Sequence, residues 1–146
     1  MITPIVLDTS CYIAFLRGDV SVADRLRTAS TILFPTIVVG ELMTGFFVKK
    51  GSADATNQAK SETTDRPPVD KVDQLHKFLD TPRVQLVEPS YRTAEQFGFL
   101  AAALKQAGTP IPVNDLWIAA IAKEHGCPVA TLDGHFRRVP GLQIVP

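Results

Sequence analysis

Asp8, Glu41, Asp115 and Asp133 are the residues of this chain whose types and surroundings could do chemistry together. Asp8 directly follows the apolar run Ile5-Val6-Leu7, and Asp133 follows Pro128-Val129-Ala130-Thr131-Leu132. Asp115 comes just after the stiff loop Thr109-Pro110-Ile111-Pro112. Glu41 lies inside an apolar stretch, where its neighbours at helical spacing are Ile37, Val38, Thr44 and Gly45. A carboxylate in that company is desolvated and needs a proton, a cationic partner or a metal. Carboxylates gathered without a cation repel one another, and a hard divalent ion such as Mg²⁺ or Mn²⁺ relieves the conflict. A centre of this kind, with one or two ions, can activate water and stabilise charge on a phosphodiester. Taken singly, each residue has a plainer reading. Asp8 could cap a helix, Asp115 could complement a helix dipole or assist Asn114 as a cap, Asp133 before Gly134 could be a turn residue, and Glu41 could bend into water.

Whether the four can meet depends on the elements that carry them. Ile5-Val6-Leu7 reads as a buried strand, Thr31-Ile32-Leu33-Phe34 as a second, Val84-Gln85-Leu86-Val87 as a third and residues 128–132 as a fourth, with Gln143-Ile144-Val145 as a last edge strand. Helices are expected between them. One carries Tyr12, Ile13, Phe15 and Leu16, and a short one covers residues 22–29. A third, capped by Thr36, carries Ile37 to Phe47 and is apolar on most sides, with Gly40 and Gly45 permitting close approach. A fourth shows Val69, Val72, Leu75 and Leu79 on one face. A fifth runs from a Ser90 cap through Ala94, Phe97, Ala101 and Leu104 to Gly108, and a sixth runs from Leu116 to His125 and stops at Gly126. Strands alternating with helices predict an α/β domain with a short, mainly parallel central sheet of four to five strands flanked by helices. In such sheets ligands bind beyond the carboxyl ends of the strands, where Asp8 and Asp133 fall. Residues 50–68 are polar, hold two prolines, and read as a surface excursion from a single domain spanning 1–146.

The chain carries 15 basic and 15 acidic side chains, so it lacks the basic surplus of a general nucleic-acid coat. Action on a nucleic acid would need a metal, a selective substrate or a local basic patch. Arg137-Arg138 with His135 offers such a patch beside Asp133, and Arg17 is a further candidate for phosphate contact. His135 is not required as a general base for metal-assisted hydrolysis. Trp117 reads as core rather than as a base-stacking platform. Two cysteines without C-x-x-C spacing, Cys11 and Cys127, read as buried free thiols in a reducing cytosol. No apolar run approaches the roughly 18 residues of a membrane span, so a cytoplasmic protein without membrane partners is expected.

The segments Ile5-Val6-Leu7-Asp8-Thr9-Ser10, Val39-Gly40-Glu41-Leu42, Asn114-Asp115-Leu116-Trp117-Ile118-Ala119-Ala120, Thr131-Leu132-Asp133-Gly134-His135-Phe136 and Val139-Pro140-Gly141-Leu142 occur in that order. Together they resemble the PIN-domain ribonucleases, and most of all the VapC-type toxins of toxin–antitoxin pairs. The resemblance runs essentially end to end. It implies a PIN-like fold and Mg²⁺- or Mn²⁺-dependent endonucleolytic cleavage of structured RNA such as tRNA or rRNA. It implies a small antitoxin protein as partner and a homodimer. Asp8, Glu41, Asp115 and Asp133 match the family's four acidic positions. Asp8 and Asp115 are then direct metal ligands, while Glu41 and Asp133 bind directly or through water and help orient the attacking water. Thr131 matches a family threonine near the site, and Thr9 and Ser10 match polar positions around Asp8. One departure stands out: the stretch between Glu41 and the helix of Phe78-Leu79 is longer than usual in these toxins, and residues 50–68 hold the excess. In the family that region often helps bind the antitoxin or form the dimer.

Two other classes of function compete with this one. An α/β phosphoryl-transfer protein could use Asp8 as nucleophile, but a haloacid-dehalogenase-type phosphatase expects D-x-D after the first strand, and here the third residue is Ser10. A catalytically inactive PIN-fold binding module would not need all four acids, and all four are present.

Overall fold

The computed structural model describes residues 3–49, 62–63 and 67–145. Five strands form one sheet in the order β5-β2-β1-β6-β7. They are β1 (Ile5–Leu7), β2 (Ile32–Pro35), β5 (Val84–Val87), β6 (Val129–Ala130) and β7 (Ile144–Val145), and every neighbouring pair is parallel. The inner strands are continuous apolar runs and are buried throughout, as expected where helices cover both faces of a parallel sheet. At one edge, β5 leaves Gln85 and Leu86 exposed. The predicted fourth strand is shorter than expected, because after the Thr131 amide donates to the Val145 carbonyl the Leu132 and Asp133 amides turn to the Ser10 and Thr131 hydroxyls instead.

The helices are α1 (Thr9–Leu16), α2 (Val20–Thr28), α3 (Thr36–Phe47), α4 (Val69–Leu79), α5 (Tyr91–Gln106) and α6 (Val113–His125). Tyr12, wholly buried, pins α1 to the core by edge-on contacts with Phe34 and Phe78, at 5.5 and 5.1 Å between ring centres. Gly126 ends α6 in the left-handed conformation, φ 62°, which glycine adopts without strain. The buried face of α5 is set by Thr93, Leu100 and Leu104 rather than by Ala94, which is exposed.

Three further expectations need correction. Thr36 is the first residue of α3 and not its cap; Pro35 occupies the cap position and has no side-chain donor or acceptor to offer. The apolar character of α3 does not translate into burial on most sides. Only Val38 and Leu42 are fully buried, and Gly40, Thr44, Gly45 and Phe47 are exposed. Gly40 and Gly45 have no neighbour within 4 Å of where a Cβ would stand, so they serve no close approach within the chain. Within the stretch read as a polar surface excursion, residues 62 and 63 form a strand. β3 (Val48–Lys49) pairs antiparallel with β4 (Glu62–Thr63) as a two-stranded ribbon. The remainder of that excursion, apart from residues 67 and 68, lies outside the described residues.

Read along the sheet, chain order runs outward from β1 in both directions: β2 then β5 on one side, β6 then β7 on the other. The strand order therefore reverses between β1 and β6, and in open α/β sheets the crevice beyond such a reversal is where ligands bind.

Candidate metal centre

The register of β1 on β6 pairs Leu7 with Ala130, which puts Asp8 beside Thr131 at the mouth of that crevice. The Asp8 amide completes the ladder by donating to the Ala130 carbonyl at 3.0 Å. Asp8 occupies the N-cap position of α1, yet its side chain makes no capping bond. Its Oδ2 instead accepts from the Thr131 hydroxyl at 2.7 Å and from the Ser10 hydroxyl at 2.8 Å. Each hydroxyl also accepts a backbone N–H, Thr131 from Asp133 at 2.9 Å and Ser10 from Leu132 at 3.0 Å. Asp8 and Thr131 are both buried. The plain capping role is thus not what this carboxylate does; it is held in place through one oxygen, which leaves the other as its remaining ligand atom.

Glu41, on α3, is held in the same manner. Thr9 donates to its Oε2 at 3.0 Å, while Oε1 is buried without a hydrogen-bond partner among the described residues. Burial pushes the Glu41 carboxyl above the ordinary glutamate range. The Thr9 bond opposes this, and the negative charges of Asp8, Asp115 and Asp133 add to it.

Asp115 is the third residue of α6 and is buried. Its carboxyl is also raised, first by burial and then by the charges of Asp8 and Asp133, with an opposing contribution from His135. Asp133 caps the 3₁₀ helix Gly134–Arg138, its Oδ1 accepting from the His135 amide at 3.0 Å. The His135 ring then reaches back, placing Nδ1 3.1 Å from Asp115 Oδ2 and 3.0 Å from Asp133 Oδ1. The structure therefore brings all four predicted acids into one mutually repelling group. Three of them come from the ends of the two central strands and the start of α6, and Glu41 joins from α3.

The donor set fits a hard divalent cation. It is rich in carboxylate oxygen, one oxygen of Glu41 is buried and unpartnered, and the hydroxyls of Thr9, Ser10 and Thr131 orient their carboxylates from behind. Asp115, Asp133 and His135 offer ligand atoms that all lie within 4.8 Å of one another.

The basic residues are spread around this centre. Arg17 lines a hollow of about 360 Å³ that also includes Thr9, Glu41 and Phe46. Arg137 is exposed and shares a second hollow with Asp133 and Thr131. Arg138 donates to the Pro110 carbonyl at 3.1 Å and so braces the loop that delivers Asp115. Trp117 is half-buried and stacks on Phe97, with ring centres 4.1 Å apart. The thiols of Cys11 and Cys127 are buried and unpaired, and burial pushes both up to about 11, so neither is a nucleophile at neutral pH. Sequence reasoning placed His135 among phosphate contacts and missed its position between two carboxylates. The signal available was its two-residue offset from Asp133 in a tight turn, which returns a side chain toward the residue that starts the turn.

An α/β fold with this strand order and an acidic cluster at its crevice defines a class, and the chain belongs to the PIN domain family, whose model matches residues 5–142. Within that family it is similar to the VapC proteins. Ribonuclease VapC5 of Mycobacterium tuberculosis is 26% identical over 144 residues, covering 96% of this chain and 90% of that one. Ribonuclease VapC4 of the same organism is 33% identical over 52 residues, which span 36% of this chain and 40% of VapC4. Among solved structures, VapBC2 from Rickettsia felis bound to a promoter DNA fragment matches with a TM-score of 0.72 and 26% identity, over 99% of this chain and 98% of that one. VapBC-1 from nontypeable Haemophilus influenzae matches with a TM-score of 0.74 and 25% identity, over 99% and 97% of the two chains. Among the described residues, no helix is long and apolar enough to cross a membrane.

Proposed function

We propose that this chain is an Mg²⁺- or Mn²⁺-dependent endoribonuclease, the toxin of a type II toxin–antitoxin pair, acting on structured RNA such as tRNA or rRNA. The observation that carries the reading is the gathering of Asp8, Glu41, Asp115 and Asp133 at the crevice between β1 and β6, with a buried Glu41 oxygen left unpartnered. A divalent ion bound there would neutralise the carboxylates, lower the proton affinity of an attacking water and offset charge on the phosphodiester. Asp8 and Asp115 would hold it most directly, and Glu41 and Asp133 would hold it or orient the water. Thr131, Ser10 and Thr9 fix the carboxylates through one oxygen each, so little reorganisation is needed on binding. Arg17 shares one hollow with Glu41 and Arg137 shares another with Asp133, so each can take a phosphate near the cleaved bond.

The partner half of the proposal draws on the VapC similarity and on the hollow beside Glu41. Its wall includes the apolar side chains of Ile13, Leu16, Leu42 and Phe46. A small antitoxin seated there could bring an Arg or Lys to the carboxylates, and the exposed side of α3 leaves surface for pairing two copies as a homodimer.

Purified protein incubated with total tRNA and rRNA tests the nuclease reading. Discrete cleavage products are expected with Mg²⁺ or Mn²⁺ and none with EDTA. Cleavage that survives EDTA would defeat it. The toxin reading has its own check: growth arrest on expression of the chain alone, relieved by the product of a short neighbouring gene.

A further inference from the structure

The geometry points to His135 as a nitrogen ligand of the divalent ion: its Nδ1, with Asp115 and Asp133, makes the centre a mixed nitrogen–oxygen site that holds Mn²⁺ in preference to Mg²⁺. This rests on the metal-dependent reading above and deepens it.

Nδ1 lies 3.1 Å from Asp115 Oδ2 and 3.0 Å from Asp133 Oδ1. Two ligands on adjacent corners of an octahedron with metal–ligand bonds of about 2.1 Å are separated by about 3.0 Å, the bond length multiplied by the square root of two. The imidazole nitrogen is thus already one octahedral edge away from both carboxylates. Its position is set by the backbone. The His135 amide is fixed on Asp133 Oδ1, and the next residue, Phe136, is wholly buried and anchors the 3₁₀ helix to the core. The His135 side chain is 40% exposed and that of Asp133 36%, so the outer side of the centre is open to water and a phosphate oxygen.

The same distances would also suit a protonated ring bridging two carboxylates, and the two arrangements make different demands on the metal. If the ring only bridges, the ion sees oxygen alone. If Nδ1 is a ligand, the ion sees a borderline donor. Mn²⁺ stands at the weak, oxygen-preferring end of the first-row series, but as a transition ion it takes an imidazole nitrogen more readily than Mg²⁺, which keeps to oxygen and water.

The test is pulsed electron paramagnetic resonance of Mn²⁺ bound to the full chain, with titrations of Mn²⁺ and Mg²⁺ against wild type and His135→Asn. Asparagine puts an amide oxygen close to where Nδ1 stood. Wild type is expected to show ¹⁴N modulation of the Mn²⁺ signal, changed to the ¹⁵N pattern when histidine is supplied as ¹⁵N. His135→Asn is expected to lose the modulation while still binding Mn²⁺, and its preference for Mn²⁺ over Mg²⁺ is expected to fall about tenfold. Bound Mn²⁺ without nitrogen coupling in wild type, or coupling that persists in His135→Asn, would overturn the assignment of His135 and leave the oxygen site standing. Failure of the folded wild type to bind Mn²⁺ at all would overturn both the assignment and the metal-dependent nuclease reading.

Discussion

Thr131 donates its hydroxyl proton to Asp8 across 2.7 Å, joining residues 123 positions apart in the sequence. The pairing follows from the parallel register of β1 on β6, so the fold itself aligns the carboxylate. Thr131→Val keeps the β-branched shape and removes the hydroxyl. Asp8 then loses one of its two hydroxyl donors, and the Asp133 amide loses its acceptor. RNA cleavage is expected to fall by about 10–100-fold, the usual effect of losing a group that orients a ligand. Stability should fall by only about 1–2 kcal/mol. Cleavage rates and urea denaturation of the same preparation check both numbers. Serine at this position restores the donor and should recover most of the rate.

Asp8→Asn and Asp115→Asn each replace a charged oxygen with a neutral one of the same shape. Both variants should remain folded, because each removed charge is buried beside other carboxylates, with only His135 opposing that repulsion at Asp115. Cleavage should drop by on the order of 100-fold or more, since on the proposed reading each variant loses a ligand and not only its support. Circular dichroism and a metal-dependent cleavage assay decide the point. Near-normal turnover in either variant would remove that residue from the centre.

The alternation of apolar strands and amphipathic helices made the parallel sheet legible, and Asp8 and Asp133 could be placed at its carboxyl edge because each directly follows an apolar run. Glu41 was legible from its neighbours, since burial does raise its carboxyl. Other features depended on tertiary structure. Residue types within α3 do not show that its exposed side lacks a cover in the single chain, so its apolar composition overstated its burial. The turn after Asp133 hid His135, because the hydrogen bond that folds the turn is made by backbone and carboxylate and leaves no periodic pattern. The β3–β4 ribbon has two residues per strand, too few for alternation to register.

The buried acids give the metal-free protein an unusual pH dependence. Glu41 and Asp115 have folded-state values above their ordinary 4.5 and 3.8. Their neutral forms therefore favour folding. That contribution is complete below the ordinary values and is lost as pH rises through the raised folded ones. Glu41→Gln is uncharged at every pH, and its amide oxygen can still accept from Thr9. In EDTA it should melt above wild type at neutral pH, and the gap in Tm should close as pH falls toward 4. Mn²⁺ should reverse the order by stabilising wild type more than the variant; a ligand at 100 times its Kd contributes about 2.7 kcal/mol. Differential scanning calorimetry across pH, with and without metal, reads all of these. A gap of constant size would show that Glu41 does not titrate in the manner its burial dictates.

Glu124, which is not one of the four clustered acids, provides the opposite case. It stands near the end of α6 and accepts from the hydroxyls of Ser90, at 2.5 Å, and Thr93, which together cap the start of α5. Burial alone would raise this carboxyl. The bonds from Ser90 and Thr93, with the nearby His125 and Arg92, outweigh burial and hold it below the ordinary glutamate value of 4.5. Its contribution to stability is therefore present above that value and lost as pH falls through the lowered folded one. Glu124→Ala removes the acceptor shared by both hydroxyls and is expected to cost about 1–3 kcal/mol. Because α5 and α6 pack along one another, the loss should appear in global unfolding rather than as fraying of α5 alone. The Tm difference between wild type and Glu124→Ala should be largest at neutral pH and shrink as pH falls below 4.5; it closes on acidification like the Glu41→Gln gap but has the opposite sign, because here the variant melts below wild type. Measuring both variants in one pH series separates carboxylates that support the fold from carboxylates the fold holds at its expense.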